Sequence, residues 1–305
     1  RSWGECSMSV LQLSDEVAPR LWATVRRIAM EVRVQPPHNL LLGLGATFFV
    51  TRAPILTPHK KVYGYSLYLP AMALRLLSEE ELAASLGHEL AHLRPGMSPY
   101  VIQLAANGTN GVERETERFP MAVFGIPGIN TIVVVMHFLS WFAKVGFPAF
   151  ELKADGIGIR ASTAASAIRS LVKQAILTSS YPRTPQATRR SNARPIELVE
   201  EKNVSLDYTQ KLREMLANAD PQRVRLWLQR YEEENPSPFH PTLAARAEAL
   251  DVNLDTAISE VVENLKHHES SFLEEITPAE EELTGLQKTS HKKETVADIP
   301  ANAIA

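Results

Sequence analysis

One cysteine, Cys6, stands in 305 residues. That excludes an internal disulfide framework and any cysteine-rich metal site, and it fits a reducing compartment. Basic excess is lacking as well. The net charge is −3, so no positive field argues for a nucleic-acid partner. There is no internal repeat. The chain opens on Arg1 rather than Met, so it reads as trimmed, with any signal or anchor outside the sequence. A long apolar run is missing too. The most apolar stretch, 124–150, contains only the 12 uninterrupted residues "IVVVMHFLSWFA", short of the roughly 20 that span a bilayer. It carries His137 and is flanked by Pro127, Gly128 and Lys144. It is expected as a buried or interfacial helix, with contact to a membrane surface through 124–150 left open.

What is present suits a globular core, with 45% hydrophobic and 22% charged residues. Residues 15–34 predict a helix with Val17, Leu21, Val25 and Ile28 on one face. The runs "LLLGL" (40–44), "TFFVT" (47–51) and "VYGYSLYLP" (62–70) are aromatic and β-branched, and predict a small antiparallel sheet. A short helix over 70–77 follows. Ser78 with Glu81 forms a capping-box signal for the next one, which Pro95 and Gly96 stop. A single helix is expected from Pro148 through "ELKADGIGIRASTAASAIRSLVKQAIL", an exposed loop over 181–195, and helices over 196–217 and 221–234. The expected fold class is α+β, mainly helical. Residues 1–267 form the folded domain. From 268 to 305 the chain is polar and aperiodic, and is expected to be a disordered tail.

The chemistry concentrates in "LSEEELAASLGHELAHLRPG" (77–96). Positions i and i+4 of a helix lie one above the other, so His88 and His92 can reach one ion. Leu82, Leu86, Leu90 and Leu93 make a separate stripe toward the core. Glu89 lies between the two faces. This is the HExxH arrangement. Two neutral imidazoles and one carboxylate leave a fourth position for water, whose pKa a metal lowers from about 15.7 toward 7. Glu89 would take that proton and return it to the leaving amine. A His-Glu-x-x-His pentad also arises by chance on solvated helix faces. The capping signal and the leucine stripe argue against that here.

The third ligand is not at the short spacing of thermolysin-like enzymes, nor at that of metzincins. "FELKADGIG" (150–158) offers Glu151 and Asp155, again i and i+4. Glu151 can complete a His₂Glu set, and Asp155 can fix the tautomer of a ligand histidine. Such a pair is also common on a solvated face. Glu151 lies beyond the 124–150 stretch and His92 before it. If both reach one ion, the chain between them crosses a membrane twice or not at all.

Together, "LSEEELAASLGHELAH" and the E-x-x-A-D helix resemble the HtpX/CAAX-prenyl-protease type of zinc metallopeptidase, a gluzincin group. The similarity covers about residues 15 to 255. It takes in "GLGATFFVTRAPI", "YSLYLPAMALRLLS" and "FHPTLAARAEAL". The segment "LRPGMSPY" departs from it in carrying no acidic residue, where the family often has several. The resemblance implies a zincin-like fold with two zinc-ligand helices and a single Zn2+ on His88, His92 and Glu151. It also implies Glu89 as catalytic base, Asp155 behind the ligands, and His240 and Arg246 approaching from the C-terminal side. Proteins or peptides would be substrates, damaged or membrane-proximal ones by analogy. Residue by residue, His240 before Pro241 also reads as a turn residue. As a functional group it could donate to an oxyanion or occupy the fourth metal position. Arg246 could anchor substrate or brace Asp155. Strand 62–69 could pair with an extended substrate, or its tyrosines could simply pack. Two other readings stay open. A gluzincin aminopeptidase would need an acid for the free amine, which "GLGATFF" lacks. A non-catalytic zinc-stabilised scaffold at a membrane would not need Glu89.

Overall fold

The computed structural model describes residues 6–7, 10–95, 146–180, 203–217, 219–237, 240–265 and 271–297. The expectations for most of 124–150 (His137 included) and for 181–195 lie outside these residues. Among the described residues no helix is long and apolar enough to cross a membrane.

The architecture is mainly helical with a small mixed sheet. Strands β1 (Cys6–Ser7) and β2 (Val10–Leu13) precede helix α1 (Pro19–Glu31). Leu21, Val25 and Ile28 are buried as the periodicity requires. Val17 falls before the helix and is exposed, because Pro19 starts α1 later than the sequence pattern suggests. Next come β3 (Asn39–Gly43), β4 (Phe49–Thr51), β5 (Ile55–Leu56), β6 (Lys61–Val62) and β7 (Ser66–Pro70).

The four-stranded sheet has the order β2-β3-β7-β4. Its β3–β7 pair is parallel, in the register Leu40 to Leu67 and Leu42 to Leu69, whereas β4 runs antiparallel to β7. The expected all-antiparallel sheet is therefore corrected to a mixed one. The chain reverses at β4 and again before β7, and β7 inserts between β3 and β4 instead of continuing a meander. Period-2 alternation then divides the faces. Leu40, Leu42, Leu67 and Leu69 join the main core, and Leu41 and Tyr68 pack on the far side with Val10 and Ile55.

Helix α2 (Ala71–Leu76) leads into α3 (Glu79–Ala91). The capping box forms: Glu81 N–H donates to Ser78 Oγ, and Ser78 N–H donates to Glu81 Oε2. Leu82, Leu86 and Leu90 are fully buried, contributing about 1.5–3 kcal/mol each; Leu93 is half-buried beyond the helix end. The helical segment over 146–158, here α4, is followed by a 3₁₀ turn at Ile159–Ala161 and then α5 (Ala164–Ser180). The single helix expected there is two. Ser162 adopts extended backbone, and Thr163 Oγ1 accepts the Ser166 N–H and restarts the helix. Helices α6 (Val204–Ala217), α7 (Pro221–Glu234), α8 (Leu243–Ala249) and α9 (Leu254–Asn264) complete the wrap.

The segment read as a disordered tail contains α10 (Leu273–Ala297). Phe272, Ile276, Leu283 and Glu280 are buried, the last paired with Arg75 of α2. The spacing 272, 276, 279, 283 is helical. It is masked in sequence by the glutamates on the opposite face.

Candidate metal centre

Helix α3 carries His88 and Glu89 in its last turn, with His92 as its C-cap residue. Helix α4 carries Glu151 and Asp155. The two helices cross at glycines. A Cβ on Gly87 would lie 2.8 Å from the Gly158 carbonyl oxygen, and one on Gly158 would lie 2.9 Å from the His88 nitrogen. Only hydrogen at both positions permits this approach, and it brings the donors together.

His88 Nε2 lies 3.4 Å from Glu151 Oε2, His92 Nε2 lies 3.3 Å from Glu151 Oε1, and the two Nε2 atoms are 3.3 Å apart. A four-coordinate ion with bonds of about 2.0–2.1 Å separates its ligand atoms by about 3.3–3.4 Å. The group of His88, His92 and Glu151 could therefore hold a metal ion.

Behind the donors, His88 Nδ1–H donates to Asp155 Oδ1 at 2.8 Å. A carboxylate can only accept, so this bond keeps a hydrogen on Nδ1, and it is Nε2 that would give up its proton to present a lone pair to an ion. Arg246 donates to both oxygens of Asp155, from Nε at 2.7 Å and from Nη2. On the other side His240, largely exposed, donates from Nδ1 to Glu151 Oε2 at 2.9 Å. His240 and Arg246 flank the start of α8. There Thr242 caps the helix, and Glu232 of α7 accepts the Leu243 N–H.

The charges are tuned by this packing. Burial alone would lower the His88 pKa, but its bonds to Asp155 and Glu151 outweigh that and lift it to about 9. Burial and the neighbouring His88 lower that of His92. Burial opposes ionisation of Glu151 and Asp155. Even so, hydrogen bonds from His240 and His88 hold Glu151 well below the usual carboxylate range, and bonds from His88 and Arg246 lower Asp155. The site thus holds two ionised carboxylates and favours positive charge between them.

A cleft of about 630 Å³ opens over the group, bounded by β4, α3, α5, α7 and α8. Glu89 lines it. Every residue singled out in the sequence, His88, Glu89, His92, Glu151, Asp155, His240 and Arg246, reaches this one place. Strand 62–69 does not. Most of its strand residues lie in β7, which is hydrogen-bonded on both sides, and Tyr68 is buried against Phe49. The strand at the cleft is β4, on the sheet edge.

Sequence reasoning also missed Gly87 and Gly158, Glu232, and the wall that α5 contributes through Ser170, Leu171 and Gln174. The glycines left a signal. Each weakens a helix interior by about 1 kcal/mol relative to alanine, so a glycine beside a candidate ligand marks a close approach.

No family model, curated protein or solved structure matches the chain. The family resemblance stands on the motif residues alone.

Proposed function

We propose that the protein is a zinc-dependent metalloendopeptidase of the HtpX/CAAX-prenyl-protease type, with a zincin-like arrangement of sheet edge and ligand helices. The observation that carries this reading is the meeting of two imidazole nitrogens and one carboxylate, with one ligand atom of each within 4.8 Å of the others, and Glu89 lining the same cleft. His88, His92 and Glu151 would hold Zn2+; two imidazoles and an oxygen donor suit that ion and leave a coordination position open. When bound, zinc supplies a Lewis acid that polarises the scissile carbonyl and acidifies water.

The chain's own residues do the rest. Glu89 takes a proton from the attacking water as the carbon–oxygen bond forms. It passes that proton to the amine nitrogen as the carbon–nitrogen bond breaks. His240, tethered through Nδ1 to Glu151, would in its imidazolium form also carry a hydrogen on Nε2 to donate to the carbonyl oxygen as charge develops there. Asp155 and Arg246 keep His88 in its ligating tautomer. An extended peptide adds to the edge of β4. With no acid in "GLGATFF" to hold a free amine, the reading favours internal bonds over free N-termini.

The test is Glu89→Gln in the zinc-loaded protein. Zinc content by elemental analysis stays at wild-type level while casein hydrolysis falls at least about a hundredfold. A variant that digests casein at the wild-type rate removes Glu89 from the mechanism. In parallel, Glu151→Ala lowers zinc content; unchanged stoichiometry removes Glu151 from the ligands.

A further inference from the structure

The α5 wall of the cleft carries a polar network that the mechanism above does not use. Ser85 sits on α3 one turn before His88 and Glu89, so about 5.4 Å along the helix axis from them. Its hydroxyl donates to the Glu81 carbonyl at 3.0 Å. Its oxygen is also in hydrogen-bond contact with Ser170 Oγ. Since the Ser85 hydrogen is committed, Ser170 is the donor in that contact. Both serine oxygens then have only lone pairs to offer. Gln174 fills them, its Nε2 lying 3.1 Å from Ser85 Oγ and 3.0 Å from Ser170 Oγ.

This accounting fixes the orientation of the carboxamide. Turned over, Gln174 would set a carbonyl oxygen against two acceptors. In the orientation present, Oε1 has no partner among the described residues, and the side chain lines the cleft. Beside it the wall is apolar, made by Ala167, Leu171 and Ala175.

Building on the peptidase reading, we propose that Gln174 is a specificity-determining residue. Its Oε1 selects a substrate side chain that has an apolar stem and ends in an uncharged hydrogen-bond donor, glutamine above all. An aliphatic side chain of the same length would cover Oε1 and desolvate it without bonding it. An ammonium would be buried against a neutral carbonyl with no carboxylate on this wall to pair it. A side-chain carboxamide meets both conditions, and an acceptor held in place rejects analogues that cannot donate.

The experiment uses the zinc-loaded full chain and a peptide mixture with glutamine, methionine, leucine or lysine at each position flanking the cleaved bond. Cleavage is followed by mass spectrometry. Wild type prefers glutamine over methionine by about tenfold at one position. Gln174→Leu reverses that order, and Gln174→Glu moves the preference to lysine. The double variant Ser85→Ala with Ser170→Ala, which removes both acceptors that hold the carboxamide, erases the glutamine preference and serves if Gln174→Leu does not fold. Wild-type preference for methionine or leucine at every position overturns the proposal, as does an unchanged ranking in the folded variants. Failure of the peptidase reading is distinct: wild type and Glu89→Gln then treat the mixture alike. The preference is still read in that event, as equilibrium retention of the same peptides on zinc-loaded Glu89→Gln. Equal retention of all four residues overturns it.

Discussion

Asp155 shows how much of this centre depends on a residue outside the ligand set. One of its oxygens takes the His88 Nδ1–H, and both take the Arg246 guanidinium. The planar fork of Arg246 holds the carboxylate in one plane, and the carboxylate holds the imidazole in one tautomer. Asp155→Asn keeps the shape but removes the charge, and it allows the amide to turn a donor toward His88. Zinc affinity should fall about 10–100-fold, read by competition against a chelator, while the fold persists. Arg246→Lys should also weaken binding, because an ammonium neutralises Asp155 without orienting it. Wild-type affinity in both variants would mean that His88 needs no orienting partner. At this scale the sequence was informative where chemistry sits at helical spacing. His88 with His92 and Glu151 with Asp155 are pairs a reader can place on one face each. The bond between Arg246 and Asp155 spans 91 residues; bracing Asp155 was one of two roles open to Arg246, and no local pattern chooses between them.

The elements meet through the glycines. Gly87 immediately precedes His88, and Gly158 lies three residues past Asp155. The atom that an added Cβ on Gly87 would strike is backbone, the Gly158 carbonyl at 2.8 Å. No side chain can swing aside to relieve it, so the helices must part. Gly87→Ala should cost about 1–3 kcal/mol of stability, despite alanine's better helix propensity. It should also weaken zinc binding, since the separation moves Glu151 away from both imidazoles. Chemical denaturation and zinc titration measure the two effects. A stabilised variant with normal affinity would show that the crossing has slack. Strands β3, β4 and β7 were readable in sequence as apolar and aromatic runs, whereas β1, β2 and β5 are short and left no such run. The strand order was not readable, because pairing β7 between β3 and β4 is a choice among partners far along the chain. The break at Ser162 left only the weak cue of Thr163 followed by Ser166, which a periodic apolar pattern on both sides concealed.

For the molecule as a whole, the question is what holds α3 in place from behind. Helix α3 itself packs on α1 and α5, and α10, the segment that composition marks as a tail, braces the elements around it, α2, α6 and the sheet. Arg75 on α2, two residues before the linker to the α3 cap, forms a buried ion pair with Glu280. Glu275 accepts the Arg20 and Leu21 N–H groups, supplying the cap that α1 lacks at its own N-terminus. Ser271 bonds Glu79 in the first turn of α3. Phe272, Ile276 and Leu283 lie in the main core, worth about 1.5–3 kcal/mol each. Removing Glu280 alone leaves the Arg75 charge buried without its partner, at a cost of about 3–5 kcal/mol. Against a total stability of roughly 5–15 kcal/mol, losing the whole set exceeds what a domain can absorb. The chain ended at residue 267 should therefore fail to fold and bind no stoichiometric zinc. Glu280→Ala should fold with a markedly lowered denaturation midpoint, and Glu275→Ala with a loss nearer 1 kcal/mol. A dispensable tail predicts the opposite in each case: an unchanged midpoint by circular dichroism and full zinc content after truncation. That outcome would return the boundary of the folded domain to residue 267 and leave α3 to be held by α1, α5 and the sheet alone.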